Sequence, residues 1–229
     1  MNLYIDSANF EKIKELYDWL PVFGVTVNPT ILAKDQITIA DFISQIKELD
    51  PKCTHIQVTH TETEEIIDDV KYLWSLGLVN ISAKIPVTKN GLKAIKKIKG
   101  ENKAGLITAT AIYNANQALI AAEAGADFLA PYVSRIDRLE YSGLDTVLDI
   151  KTLLNKYNLD SKIIAASIKN AYQLKEILKI GVDSVTLAPN LIEESFQSDL
   201  TDQAEKDFLN DWSNVFESFK LTSQIIRRE

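Results

Sequence analysis

Short apolar runs alternate along this chain with longer stretches in which apolar residues recur at helical spacing. The short runs predict strands over Leu3–Asp6, Val25–Asn28, His55–Thr59, Asn80–Pro86, Leu106–Ala111, Phe128–Pro131, Ile163–Ser167 and Ser184–Leu187. Between them the periodicity predicts helices, among them Glu11–Leu20, Thr63–Leu76, Gly91–Lys99, Asn116–Ala124, Leu144–Tyr157 and Ala171–Lys179. Strand then helix, repeated around eight times, is the pattern of an α/β fold that closes as a (β/α)8 barrel.

An internal echo favours closure over an open doubly wound sheet. A glycine, a strand and a proline recur at Gly24–Pro29, Gly77–Pro86, Gly125–Pro131 and Gly181–Pro189. The recurrence comes about every 50 residues, which is two strand–helix units, as in a barrel built in quarters. Each glycine is expected to end the incoming helix and each proline to close the strand before the next one. No linker divides the chain, so residues 1–229 are expected to form a single barrel domain, with 201–222 a C-terminal helical extension.

In a parallel barrel, side chains alternate between the helix layer and the interior. Placing Leu3, Ile5, Val25, Val27, Ile56, Val58, Ile81, Ala83, Ile85, Ile107, Ala109, Ala111, Ile164 and Ala166 outward turns a polar set inward. That set is Asp6, Thr26, Asn28, Gln57, Ser82, Lys84, Thr108, Thr110 and Ser167. Asp6, Asn28, Gln57, Lys84, Thr110 and Ser167 fall near the C-terminal ends of their strands, the end where barrel enzymes carry their chemistry. Burying so many polar groups is costly unless they serve one another or a ligand.

Lys84 is the sharpest signal, because it interrupts the apolar run Ile81–Val87. Desolvation disfavours an ammonium and leaves an amine that can attack a carbonyl, forming an iminium that accepts electrons. The competing reading is an ion pair with Asp6 that serves stability alone. Arg135 lies in Ser134–Asp137, read as a loop after the sixth strand. There it either holds a phosphate in bidentate fashion or pairs with Asp137 at the surface. Tyr132 is either an aromatic lid or a phenol that handles protons.

Charge and composition narrow the classes. With 25 basic and 32 acidic residues and a formal charge of −7, the chain lacks the basic balance of a nucleic-acid binder. One local arginine can still hold an anionic substrate. Cys53 is the single cysteine, so no intramolecular disulfide can form and a reducing compartment, the cytoplasm, is expected. With a strand-like run at Asn2–Asp6 and no basic segment followed by an apolar one, no signal peptide is expected, and no apolar run approaches the ~20 residues of a membrane span. His55 and His60 with Cys53 are too few for a convincing metal site, so both histidines are read as structural, and no metal or organic cofactor is expected.

The motifs that carry these residues resemble one family. They are Leu3–Ser7 (LYIDS), Gly24–Thr30 (GVTVNPT), Ala83–Thr88 (AKIPVT), Thr108–Tyr113 (TATAIY), Ala130–Asp137 (APYVSRID) and Ala165–Lys169 (AASIK). Together they are similar to the small transaldolases and fructose-6-phosphate aldolases over essentially the whole chain. The resemblance implies a Schiff-base aldolase that reversibly cleaves fructose 6-phosphate to dihydroxyacetone and glyceraldehyde 3-phosphate. Lys84 would carry the Schiff base, and Asp6 would assist proton transfers at the substrate hydroxyls. Thr110 and Gln57 would hold a catalytic water, with Tyr132 as acid and base beside it. Arg135, Ser167 and Asn28 would bind the sugar phosphate, and Thr26 would line the pocket.

Two positions separate branches of the family: transaldolases carry glutamate in place of Gln57 and phenylalanine in place of Tyr132. This chain has the aldolase choice at both, whereas Tyr113–Gln117 looks like the transaldolase-like branch. The alternative activity is therefore a transaldolase of the pentose phosphate pathway, moving a dihydroxyacetone unit between sugar phosphates. A non-covalent phosphosugar isomerase would need a carboxylate pair or a metal, and of these the inward set supplies only Asp6. A non-catalytic sugar-phosphate binder would tolerate loss of the Lys84 amine.

Past the eighth strand, Thr201–Phe219 is expected to form a helix with Phe208, Trp212, Val215, Phe216 and Phe219 on one face. Such a stripe packs either on its own barrel or on another subunit. The resemblance implies the second, with the helix handed round a ring of five and two rings stacked into a homodecamer.

Overall fold

The computed structural model describes residues 1–78, 80–101 and 105–222. The chain divides into two compact units, Met1–Ile192 and Glu193–Glu229. In the first unit, β1 (Asn2–Asp6), α1 (Phe10–Trp19) and β2 (Gly24–Val27) are followed by two helices, α2 (Pro29–Asp35) and α3 (Ile39–Ile46). Then come β3 (Cys53–Gln57), α4 (Thr63–Ser75), β4 (Ile81–Pro86), α5 (Lys89–Glu101), β5 (Leu106–Ile112) and α6 (Ala115–Glu123). The order continues through β6 (Phe128–Pro131), a short α7 (Val133–Asp137), α8 (Gly143–Tyr157), β7 (Lys162–Ala165), α9 (Ala171–Ile180) and β8 (Ser184–Leu187), and α10 (Pro189–Phe196) crosses the boundary between the units. The strands pair in chain order, all in parallel, and β1 pairs with β8 to close the barrel. The (β/α)8 fold expected from the alternating pattern is the fold observed.

The strands present branched residues to the helices. Ile5, Val25, Val27, Ile56, Ala83, Ile85, Ile107 and Leu129 join helix residues such as Ile13, Phe42, Val70 and Ile95 in one continuous core. Inside the barrel Tyr4, Cys53, Ala130 and Ile164 form a smaller cluster, with Phe23, Leu106 and Phe128 packed against it.

The expected alternation holds on β1 to β4 and fails on two strands. On β7, Ile164 belongs to the interior cluster, and Ile163 and Ala165 take the helix-facing places assigned to Ile164 and Ala166. All of these residues are buried, so a strand covered on both faces gives no polar residue to mark its parity. On β5, Ala111 does not face the helices; Ile112 joins the helix-facing core instead. The register with β6 shifts between Ala109 and Ile112, and Ala111 takes φ 55°. A left-handed residue of this kind turns the following side chains to the opposite face.

Three smaller expectations also change. Ser134–Asp137 lies within α7 and is not a loop. Gly77, Gly125 and Gly181 do take left-handed backbone just past their helices, but Gly24 opens β2. A Cβ on Gly24 would stand 1.8 Å from the Cys53 carbonyl oxygen, so this glycine permits close strand approach. Strand ends move by one or two residues; Asn28 lies past β2 as the N-cap of α2, its Oδ1 accepting from Ile31 N at 3.1 Å.

In the second unit, α11 spans Asp199–Val215 and is capped by Ser198, whose Oγ accepts from Thr201 N at 3.3 Å. It stops before Phe216, whose backbone is extended. Trp212 Nε1 donates to Ser218 O at 2.9 Å and its ring lies 4.4 Å from that of Phe216. The aromatic stripe is thus a helical row through Val215 with Phe216 and Phe219 beyond it. No residue of α11 is buried, and Phe208, Val215 and Phe219 are exposed.

Candidate active site

At the C-terminal ends of the strands a cavity of about 160 Å³ is lined by Asp6, Asn28, Thr30, Ile31, Lys84, Tyr132, Arg135, Ala166, Ser167, Lys169 and Thr186. Six residues expected at a site, namely Asp6, Asn28, Lys84, Tyr132, Arg135 and Ser167, therefore line one cavity. Lys84 is 4% exposed, carried in the middle of β4 between Ala83 and Ile85. Burial pushes its ammonium below the ordinary lysine range, and the Asp6 carboxylate opposes that shift without reversing it.

Asp6 is held from β2. Thr26 Oγ1 donates to Asp6 Oδ1 at 2.6 Å and lies 2.6 Å from Thr186 Oγ1 of β8. Thr26 thus steers the carboxylate from behind and does not line the cavity. Tyr132, just past β6, is buried, and its hydroxyl accepts from Thr110 Oγ1 at 3.1 Å. With Thr110 donating, the phenol proton is not spent on that bond. Burial raises the Tyr132 phenol above its usual range, while the Thr110 hydrogen bond and the Arg135 charge pull it back. The Tyr113 ring meets Tyr132 edge-on, centroids 6.0 Å apart. Thr110 touches the site through Tyr132, and Gln57 stands beside Lys84 in the β3–β4 register.

Arg135 caps the phenol: its Cζ lies 4.5 Å from the Tyr132 centroid. The alternative pairing with Asp137 is not observed. Asp137 Oδ1 accepts from Gly143 N at 2.8 Å and its Oδ2 from Gln173 Nε2 at 2.7 Å. Ser167 reaches the cavity by a route alternation does not predict. It follows β7 with φ 58°, a left-handed residue that breaks the strand's parity. Beyond it Lys169 brings a second cation to the lining. Strand alternation does not extend to Lys169 or Thr30, which sit past strand ends. Thr186 was legible by parity, since Val185 and Leu187 face the helices.

Beneath Lys84 lies a second polar layer. His55 Nδ1 and Ser82 Oγ both lie 2.7 Å from Thr108 Oγ1, and Thr108 is the β5 neighbour of Lys84. The His55 ring stands edge-on to Tyr4 and to Phe128, each centroid 4.8 Å away. Burial, reinforced by Lys84, drives the His55 pKa down to about 3, so the imidazole is neutral at physiological pH. His60 is exposed, and its Nδ1 lies 2.9 Å from Asp69 Oδ1.

The arrangement places a desolvated amine, a carboxylate and a phenol on one cavity, with two cations in the same lining. Such a set can add an amine to a carbonyl, move protons at neighbouring oxygens and hold an anion away from the reacting centre.

Comparison with known proteins gives the family. The family model described as transaldolase/fructose-6-phosphate aldolase matches residues 3–224. A probable transaldolase of Hydrogenobaculum sp. is 36% identical over 216 residues, covering 94% of this chain and 98% of the relative. Probable transaldolases of Aquifex aeolicus, 34% identical with the same coverage, and Nitrosopumilus maritimus, 32% identical over 94% and 96% of the two chains, are also similar. With the match running through every strand of the barrel, the chain belongs to the transaldolase/fructose-6-phosphate aldolase family.

Proposed function

We propose that this enzyme is a Schiff-base aldolase that reversibly cleaves fructose 6-phosphate to dihydroxyacetone and glyceraldehyde 3-phosphate. The observation that carries the proposal is the buried Lys84 amine opening onto a cavity shared with Asp6, Tyr132 and Arg135. The amine adds to C2 of the open-chain sugar and loses water to give an iminium. The C3–C4 bond then breaks as the C4 hydroxyl gives up its proton, with Asp6 assisting. Glyceraldehyde 3-phosphate leaves, and the electron pair stays on the enzyme as an enamine. Tyr132, with a water held by Thr110 and Gln57, returns a proton to C3, and hydrolysis frees dihydroxyacetone and Lys84. Arg135, Ser167 and Asn28 bind the phosphate end, with Lys169 as a further cation, and Thr26 orients Asp6. With a lone buried thiol at Cys53, the enzyme is suited to a reducing compartment, the cytoplasm.

The second reading, a transaldolase that hands the dihydroxyacetone unit to an acceptor sugar phosphate, is favoured by the names of the relatives. The two are separated by supplying fructose 6-phosphate alone and then with erythrose 4-phosphate. Release of glyceraldehyde 3-phosphate without acceptor supports the aldolase; strict dependence on acceptor supports transfer. Protonation of the enamine is the dividing step. Replacing Tyr132 with Phe and Gln57 with Glu should shift the ratio of transfer to free triose by roughly 10-fold or more toward transfer. An unchanged ratio would remove these residues from control of the reaction.

The exposed apolar row of α11 supports assembly with further copies of the chain. The form that the family resemblance implies is a homodecamer of two pentamers, in which an element passed round each ring makes a contact that closes by rotation. Light scattering should report about ten chains, falling on truncation before Thr201. A single-chain mass at micromolar concentration would contradict it.

A further inference from the structure

The cations of the cavity come from two connections that follow different strands. Arg135 stands on α7 after β6, and Ser167 and Lys169 stand between β7 and α9. Anion affinity depends on holding these two segments in register, because displacement of a ligand group by about 1 Å is enough to cost most of a two-point contact. Their backbones meet twice: Val133 N donates to Ala166 O and Ser134 N to Ser167 O, each at 3.0 Å.

One side chain joins the same two segments from outside the cavity. Gln173 Oε1 accepts from Lys169 N and from Ser134 Oγ, both at 2.9 Å. Its Nε2 donates to Asp137 Oδ2 at 2.7 Å, and Asp137 in turn accepts from Gly143 N at 2.8 Å. The amide orientation follows from chemistry. The Asp137 carboxylate needs a donor, and the Lys169 N–H needs an acceptor, so only one orientation of the amide serves both.

Part of this is ordinary helix capping, and the chain supplies its own comparison. After β5 and after β7 the same Asn-Ala-x-Gln pattern starts a helix, at Asn114–Gln117 and Asn170–Gln173. Asn114 and Asn170 each accept from the backbone N of the glutamine three residues on. Gln117 Oε1 accepts from Tyr113 N at 2.8 Å, as Gln173 does from Lys169 N. Gln173 differs by its additional bonds to Ser134 and Asp137, on either side of Arg135.

We propose that Gln173 is a positioning residue for the anion end of the cavity, tying the turn that carries Arg135 to the segment that carries Ser167 and Lys169, and thereby setting the preference for phosphorylated over unphosphorylated ketose donors. The proposal rests on the phosphate-binding reading of Arg135.

The test compares the full-length wild type with Gln173→Ala, Gln117→Ala, Gln173→Glu and the double variant Gln173→Glu/Asp137→Asn. Calorimetric titration with inorganic phosphate, KM for fructose 6-phosphate, KM for dihydroxyacetone as donor, and Tm are measured for each. Gln173→Ala should weaken phosphate and raise the KM for fructose 6-phosphate by about 10-fold, with the dihydroxyacetone KM within about twofold. Gln117→Ala, which removes only a cap, should lower Tm similarly and leave the phosphate terms unchanged. Gln173→Glu sets two carboxylates against each other and should be worse than alanine. Adding Asp137→Asn restores a donor to that contact at the original net charge and should recover most of the loss. If Gln173→Ala behaves like Gln117→Ala, or damages both donor types equally, Gln173 is a cap and the proposal fails. If wild type binds phosphate no better than Arg135→Ala does, the phosphate reading itself falls.

Discussion

Replacing Lys84 with methionine is expected to lower turnover of fructose 6-phosphate by roughly three to six orders of magnitude while leaving the barrel folded. The activity loss follows from removing the buried amine that forms the iminium. The preserved fold follows from burial. Lys84 is enclosed within β4, where its charged form is disfavoured, and an unbranched apolar side chain of similar length removes that cost. Asp6 keeps its Thr26 donor. Unfolding measurements should therefore show equal or higher stability for Lys84→Met.

The sign with pH can be stated. The folded-state pKa of Lys84 lies below its ordinary value of 10.5, so the native state holds fewer protons than the unfolded state between the two values. Wild-type stability gains from this group as pH rises through that window. The advantage of the methionine variant is accordingly largest below the window and shrinks toward 10.5. Turnover of wild type should rise with pH as Lys84 loses its proton, with the midpoint below that of free lysine. A variant that is inactive because it is unfolded, or one that is destabilised as a broken Lys84–Asp6 ion pair would be, contradicts this account.

Arg135→Ala carries the second large effect. A guanidinium offers a phosphate two parallel hydrogen bonds, and their loss should raise the KM for fructose 6-phosphate by roughly 10- to 100-fold. Arg135→Lys should fall between, since a point charge cannot reproduce the fork. Dihydroxyacetone carries no anion, so its KM should stay within about threefold. A modest fall in kcat is expected for both donors, because Arg135 also lies over the Tyr132 ring and lowers its pKa. Steady-state kinetics with both donors check this; equal KM changes would make Arg135 a structural residue.

The parts of the site that alternation reached are those on strands with a clear polar side. Ile5 beside Asp6, Val25 and Val27 beside Thr26, and Ala83 and Ile85 beside Lys84 leave no doubt about which face turns inward. On β7, Ile163 to Ala166 are apolar on both faces, so alternation alone does not fix the parity, although Ser167 still lines the cavity. It does so through a left-handed backbone, which hydropathy does not encode. Ala111 fails for the same reason. Lys169 lies in the connection between β7 and α9 and Gln173 in the first turn of α9, where position follows from turn geometry and capping and not from a two-residue period. Arg135 was legible as a cation near the site, but its freedom from Asp137 was not, because Gln173 arrives from a helix distant in sequence. The end of α11 before Phe216 was hidden too, since Phe216 and Phe219 continue the helical spacing that the backbone abandons.

The central claim is that the reaction runs through a covalent bond at Lys84. Borohydride reduction in the presence of dihydroxyacetone, followed by peptide mass spectrometry, tests it without reference to rates or to the choice between cleavage and transfer. The account predicts one reduced triose adduct per chain, on the peptide containing Lys84, and no adduct in Lys84→Met. An adduct on Lys169 or any other lysine, or full activity with no trapped adduct, would contradict it.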